Sequence, residues 1–154
     1  AVTQHHGHIG STQKSMRIEL LLWPDKYFCM FGYTWWNFNK DIRELLDDSH
    51  PITFHEIFII CPDPWPKDRH HKRRLLQNNF FDMLNKRMTA ESRLFISTDW
   101  DNYADDISGS LKSKNHNFDS RLISSIPSRD LSKFQKRAVT EGRRLHFFEV
   151  QKIR

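Results

Sequence analysis

The segment IFIICPDPWPKDRHHKRR, residues 57–74, joins an apolar run directly to a proline-rich and strongly basic stretch. The apolar run at 57–61 has no charged side chain, which is typical of a strand buried on both faces of a parallel sheet. Pro62, Pro64 and Pro66 then restrict the backbone on both sides of Asp63. Ligands of open α/β sheets bind at the carboxyl ends of the strands. The sequence therefore predicts a stiff loop at that edge, with one carboxylate held in it.

A dense group of cations follows this loop. Between residues 67 and 74, interrupted by His70 and His71, lie Lys67, Arg69, Lys72, Arg73 and Arg74. The whole chain has a net charge of +5 and a pI near 9.4. Such a concentration of charge favours binding to the phosphate backbone of a nucleic acid. A solvated helix start, or a nuclear-import-like run, is the alternative that charge alone leaves open.

Apolar periodicity predicts strands and helices in alternation along the chain. Strands are predicted at residues 16–23, 57–61, 94–97 and 145–153. Helices are predicted to open at 41–46 and to run over 75–88, 102–111 and 131–141, with Gly142 following the last one. This order predicts an α/β fold with a mainly parallel sheet and helices on both faces.

Composition excludes several classes of protein. The 154 residues suit one domain, and a hydrophobic content of 38% with 13% aromatics excludes a disordered chain. No apolar run approaches the roughly 20 residues that span a bilayer. Cys29 and Cys61 are too few for a disulfide framework, so the expected compartment is the cytoplasm. The N-terminal cluster of His5, His6 and His8 lacks a cysteine or carboxylate set, so no metal site is expected.

Aromatic side chains are concentrated at residues 27–38, where the sequence reads YFCMFGYTWWNF. Core or interface packing accounts for them most simply. A base-stacking platform is the alternative, although such platforms sit in positively charged grooves and this stretch has no Lys or Arg.

The string PDPWPKDRHHKRRL, residues 62–75, resembles the signature of the bacterial tRNA (guanine-N7-)-methyltransferases, which modify a guanine in the tRNA variable loop. Further segments resemble that family in the right order: residues 41–46, STDW with Tyr103-Ala104 at 97–104, and Arg129 with SKFQ, Arg137 and Gly142 at 129–142. The resemblance covers about residues 40–152. It implies that 40–154 is the C-terminal part of a methyltransferase domain, and 1–39 resembles nothing in the family.

The resemblance implies a class I, Rossmann-like fold, S-adenosylmethionine as cofactor and tRNA as partner. Asp63 would lie at the reaction centre, against both the cofactor and the target base, and Asp41 would hold the adenosine part of the cofactor. Lys67 and Asp99 would contact the substrate guanosine or its surroundings. The last substrate-binding stretch would be Ser132, Lys133, Phe134 and Gln135. The tRNA backbone would be bound by Arg69, Lys72, Arg73 and Arg74.

The chain departs from the family pattern upstream of Asp41, where a Glu-x-Gly-x-Gly turn is expected and only Gly7, Gly10 and Gly32 occur. The fold is therefore expected to be N-terminally truncated or diverged. Residues 16–23, or a partner chain, are expected to cover the exposed edge of the strand at 57–61. Gln135 and Ser132 stand where the family has Glu and Thr.

Three hypotheses follow. The first is a tRNA guanine-N7 methyltransferase, and the basic string after Trp65 favours it. The second is a non-catalytic RNA-binding remnant of that fold, which the absent glycine-rich turn favours. The third is an amino-group methyltransferase, because Pro-Asp-Pro-Trp loosely matches the D/N-P-P-Y/W/F sequence of enzymes that act on exocyclic amines. The family includes monomers and dimers, so no oligomeric state follows.

Overall fold

The computed structural model describes residues 15–23, 26–31, 34–38, 43, 46, 53–113 and 117–153, the first three ranges by their backbone alone. Strands β1 to β7 are Ser15–Trp23, Lys26–Phe31, Thr34–Phe38, Thr53–Ile60, Met88–Thr98, Phe118–Ile123 and His146–Lys152. Helices α1 to α3 are Asn78–Arg87, Asp101–Leu111 and Lys133–Thr140, and a 3-10 helix spans Asp68–Arg73. None of the described helices has the length and apolarity that a membrane crossing requires.

All these strands form one sheet in the order β3-β2-β1-β4-β5-β7-β6. The predicted α/β architecture is confirmed, but the prediction of a mainly parallel sheet is wrong. Only the β1–β4 and β4–β5 pairs are parallel, whereas β1–β2, β2–β3, β5–β7 and β6–β7 are antiparallel. The sheet is mixed for two reasons. Strands β1, β2 and β3 follow one another as antiparallel neighbours, and β7 lies antiparallel between β5 and β6.

Strand β1 lies beside β4, as expected for residues 16–23. The two strands are parallel, with Ile18 opposite Ile57 and Leu21 opposite Ile60. Strand β1 thus supplies the hydrogen-bonding partner that an internal strand needs. The chain then turns back after two residues into antiparallel β2.

Strand β4 is buried on both faces, which confirms the interpretation of its apolar run. Ile57 and Ile59 belong to a large core with α1 and α2 on one side of the sheet. Phe58 and Ile60 belong to a smaller core on the other side, where Phe58 stacks on Phe95 of β5 at 5.3 Å between ring centroids. Both sides of the sheet are therefore covered at its centre.

The helices lie close to their predicted positions, since each buries one apolar stripe. In α2 the buried residues are Tyr103, Ala104, Ile107 and Leu111. In contrast, α1 begins only at Asn78, and the buried Leu75 and Leu76 precede it. The predicted helix opening at 41–46 lies largely outside the described residues.

Candidate active site at the carboxyl edge of the sheet

The Asp63 loop, residues 61–67, begins where β4 ends and is held in an unusual backbone conformation. The Cys61 amide still donates to the Ser97 carbonyl of β5, at 2.8 Å, although Cys61 already has a φ of 47°. Trp65 also has a positive φ, 42°, a region that few non-glycine residues adopt. The exposed Asp63 stabilises this turn, because its Oδ1 accepts a hydrogen bond from the Trp65 amide at 3.0 Å. The loop therefore holds a single carboxylate at the end of β4, as predicted.

Four of the five cations at residues 67–74 are exposed to solvent: Lys67, Arg69, Lys72 and Arg73. The last three lie on the 3-10 helix. Arg73 stacks over the Trp65 ring at 5.0 Å, and His70 meets the same ring edge-on at 5.8 Å. The four exposed cations are called the basic surface below. The half-buried Trp65 of the Asp63 loop contacts this surface through Arg73.

Arg74 was expected to bind the tRNA backbone, and that prediction is wrong. Its side chain is only 1% exposed, so phosphate has no access to it. The guanidinium pairs with Asp106 of α2, donates to the Pro64 carbonyl at 2.8 Å and lies 4.8 Å over the Tyr103 ring. A buried cation needs a counter-charge and hydrogen-bond acceptors, and here α2 and the Asp63 loop provide them.

Asp99 follows β5 at the same edge and is held by Arg143. The Arg143 Nε donates to Asp99 Oδ2 at 2.7 Å, and its guanidinium also pairs with Glu141. Gly142, with a φ of 76°, ends α3 in a Schellman turn, in which the Arg143 amide donates to the Ala138 carbonyl. The turn therefore brings Arg143 to Asp99, and it confirms the predicted role of Gly142.

Residues 132–135 form the start of α3, and Ser132 and Gln135 cap it. The Ser132 hydroxyl accepts a hydrogen bond from the backbone N–H of Gln135 at 3.3 Å. The side-chain Oε1 of Gln135 accepts one from the backbone N–H of Ser132 at 2.7 Å. Gln135 also donates from Nε2 to the Ser97 hydroxyl at 3.0 Å and is 1% exposed. The predicted substrate contact by Gln135 is therefore wrong, because both ends of its amide bind within the protein. Lys133 is exposed and Phe134 is half-buried, so both are accessible.

Cys61 lies beneath this edge as a neutral thiol. Its Sγ is 3.9 Å from the Ser97 hydroxyl. Burial, with a second contribution from the negative charge of Asp99, raises the pKa of Cys61 from 9.0 to about 12. A thiol in that state is a poor nucleophile at neutral pH.

The structure thus brings the Asp63 loop, Asp99 and the start of α3 to one edge of the sheet, with Ser97 linking β5 to α3. Asp41, the remaining predicted site residue, lies outside the described residues. The sequence interpretation missed Arg143 and Ser97. Gly142 was the available signal for the turn that precedes Arg143, but neither Arg143 nor Ser97 had a signal for its contact.

The described residues do not form a cradle for a nucleotide-containing methyl donor. Such a cradle uses a glycine-rich turn between a central parallel strand and a helix, where backbone amides approach the ligand. Here β1 occupies the central place beside β4, but antiparallel β2 follows it after two residues. Nor do the described residues contain three His, Cys, Asp or Glu side chains placed to hold a metal ion; His5, His6 and His8 lie outside the described ranges.

Comparison with known proteins shows similarity to tRNA (guanine-N(7)-)-methyltransferases. A tRNA (guanine-N(7)-)-methyltransferase of Wolbachia pipientis wMel is 35% identical over 117 residues, covering 74% of this chain and 51% of that protein. One of Nitrosomonas europaea is 41% identical over 88 residues, covering 56% and 39%. An rRNA methylase structure from Streptococcus thermophilus aligns at a TM-score of 0.38 and 9% identity, covering 66% of this chain and 48% of that one.

The chain spans about half the length of the curated relatives it matches, or less. A family model described as "Putative methyltransferase" matches residues 37–148, which include the Asp63 loop, Asp99 and α3. The match covers well over half of the 154 residues, so the chain belongs to this methyltransferase family.

Proposed function

We propose that this chain carries the tRNA-binding side of a tRNA guanine-N7 methyltransferase, with S-adenosylmethionine as methyl donor and Asp63 as the residue that faces the target base. The observation that carries the proposal is the exposed Asp63 carboxylate at the carboxyl end of β4, directly beside the basic surface. The identity to tRNA (guanine-N(7)-)-methyltransferases across this segment supports the choice of substrate.

The chemistry of guanine N7 suits a carboxylate in this position. N7 has a lone pair and no proton in the neutral base, so its methylation needs no general base. It needs correct positioning of the reacting atoms. The purine gains positive charge as the N7–methyl bond forms, and a fixed carboxylate favours that charge. The Asp63 loop meets this requirement, because the Trp65 amide fixes one carboxylate oxygen while the side chain remains exposed.

The other exposed groups suit a positioning role toward RNA. Lys67, Arg69, Lys72 and Arg73 would neutralise phosphates, which orients the tRNA without reading its sequence. Lys133, Phe134 and Asp99 lie near the same edge, where a base lifted out of the variable loop would be bound. Folded RNA is recognised mainly by its shape and its backbone, which fits this distribution of charge.

A non-catalytic RNA-binding function is the second candidate, and the hairpin after β1 specifically favours it. Calorimetric titration with S-adenosylhomocysteine separates the two. Heat with a micromolar dissociation constant would show that the chain alone builds a methyl-donor site. Absence of binding, together with tight binding of tRNA, would favour the RNA-binding function for this chain.

The test of the proposal is the salt dependence of tRNA binding. We expect Lys72→Ala with Arg73→Ala to make the log–log slope shallower by about 1.4 to 1.8, which corresponds to two lost phosphate contacts. The matched control is Lys86→Ala with Lys112→Ala. It removes two exposed cations near the ends of α1 and α2, at the opposite edge of the sheet. The control should leave the slope unchanged. Equal slopes for all three proteins would contradict the assignment of the basic surface to tRNA.

A further inference from the structure

The buried Arg74 has a use that its neighbour Arg73 does not have. Its Nε donates to the Pro64 carbonyl oxygen at 2.8 Å. The same peptide group carries the Trp65 amide, which donates to Asp63 Oδ1 at 3.0 Å. A peptide group is planar and rigid. Its two polar ends are therefore bound at once, one by Arg74 and the other by Asp63.

We infer that Arg74 is a positioning residue for Asp63, and that it acts through the Pro64–Trp65 peptide group. Rotation of this peptide would withdraw the Trp65 amide from Asp63 Oδ1. The guanidinium opposes that rotation by binding the carbonyl. Asp63 thereby keeps one oxygen engaged, while Oδ2 has no partner among the described residues. The importance of this oxygen for methylation rests on the proposed function, but the mechanical link does not.

Arg74 is itself held from α2, on the far side of the loop. Asp106 pairs with the guanidinium, and the Tyr103 ring lies beneath it at 4.8 Å. Tyr103 is fixed in turn, because its hydroxyl accepts from the Leu76 amide at 3.0 Å. The planar guanidinium suits this place, since it binds two acceptors at fixed angles and stacks on a ring. Helix α2 therefore holds Arg74, and Arg74 in turn holds the Asp63 loop.

The left-handed conformation of Trp65 explains why the loop needs such a restraint. A φ of 42° is unfavourable for a residue with a Cβ, so the turn persists only where its surroundings hold it. Within the described residues, two side chains bind the 64–65 peptide, those of Asp63 and Arg74. Loss of the Arg74 bond should let the turn relax, although the surrounding core is unchanged.

The experiment compares amide hydrogen exchange of Trp65, measured by NMR, in four variants of the chain. Arg74→Lys keeps the charge beside Asp106 but removes the planar donor, and Asp106→Asn removes the counter-charge. Asp106 is half-exposed, so this second variant is expected to fold. Lys72→Arg and Asp105→Asn are the controls, because they change exposed residues close in sequence to Arg74 and Asp106 and leave the contact of Arg73 with the Trp65 ring in place. We expect Trp65 exchange on the order of tenfold faster in the first pair and unchanged in the controls.

Amides of β4 report on the fold as a whole, and tRNA binding reports on the proposed function. Unchanged β4 exchange with faster Trp65 exchange supports the inference. An unchanged Trp65 rate in Arg74→Lys would overturn it. So would equal acceleration at Trp65 and β4, because Arg74 would then serve global stability only. If the parent fails to bind tRNA, the proposed function fails, while the exchange result on Arg74 stands.

Discussion

Two adjacent arginines show how burial decides the use of a residue. Arg73 and Arg74 are equivalent in a charge pattern, yet Arg73 is exposed over Trp65 and Arg74 is enclosed by Asp106 and Tyr103. No local pattern could separate them, since Asp106 lies 32 residues further along the chain. The exposure of the other cations was predictable, because a solvated cation needs no partner within the protein. The burial of Arg74 was not predictable, because it depends on Asp106.

Gln135 provides a test at the scale of the residue. Gln135→Ala should lower the free energy of unfolding by about 1 to 3 kcal/mol, because it removes a helix cap and leaves the buried Ser97 hydroxyl without its donor. Lys136→Ala, at the exposed neighbouring position, should change it by less than about 0.5 kcal/mol. Urea unfolding measures both. Equal effects would show that the Gln135 contacts contribute nothing.

The elements that the sequence predicted well are those that bury a regular apolar pattern. Strand β4 and helix α2 are examples, with their continuous run and their stripe of Tyr103, Ile107 and Leu111. Strand β6 was missed, because it is an edge strand in which Phe118 is the one buried residue and Leu122 is 70% exposed. The direction of β7 was also hidden, since periodicity carries no information on whether neighbouring strands are parallel.

The end of α3 provides a test at the scale of the element. Gly142→Ala should lower the free energy of unfolding by about 1 kcal/mol, because its φ of 76° is unfavourable for alanine although nothing lies within 4 Å of the added Cβ. Gly109→Ala also has open space, but it lies inside α2, where alanine is the better helix former. It should raise the free energy by about 0.5 to 1 kcal/mol. Thermal unfolding gives both signs, and a stabilising Gly142→Ala would contradict the Schellman turn.

For the whole molecule, the strand order decides which loops lie together at the carboxyl edge of the sheet. The β1–β4–β5 order brings the loops after β4 and β5 together, which is why residues 36 positions apart meet. The sequence located these loops correctly from the ends of the apolar runs. It could not show that Arg143, which comes before β7, would reach Asp99, because this contact depends on the strand order.

Cys61 and Tyr103 stay protonated in the folded chain at neutral pH, and they predict how the free energy of unfolding depends on pH. Burial raises the pKa of Cys61 from 9.0 to about 12 and also raises the pKa of the Tyr103 hydroxyl. Above about pH 9 the unfolded chain loses protons that the folded chain retains, so the free energy of unfolding falls with rising pH. The slope is at most about 1.4 kcal/mol per pH unit for each group. The stability contribution of Cys61 is complete below pH 9 and lost by about pH 12.

Urea unfolding between pH 8 and 11 measures this decline. Cys61→Ala should make it shallower from about pH 9, with Cys29 unchanged in both proteins. Identical slopes for the parent and the variant would contradict a half-buried Cys61 that stays neutral.

The assignment of Asp63 is tested most directly by methyl transfer to guanine N7 in tRNA. The chain is joined to the N-terminal segment of a tRNA (guanine-N(7)-)-methyltransferase relative, and single-turnover rates are measured at saturating S-adenosylmethionine. Asp63→Asn should lower kcat by on the order of 100-fold with little change in KM, because its carboxylate acts on charge that develops in the transition state. Lys67→Ala should mainly raise KM for tRNA, and Asp68→Asn, an exposed carboxylate near the same loop, should leave both unchanged. An Asp63→Asn rate within about a factor of two of the parent, far from the loss expected of such a group, would contradict the account and leave the Asp63 loop a structural turn.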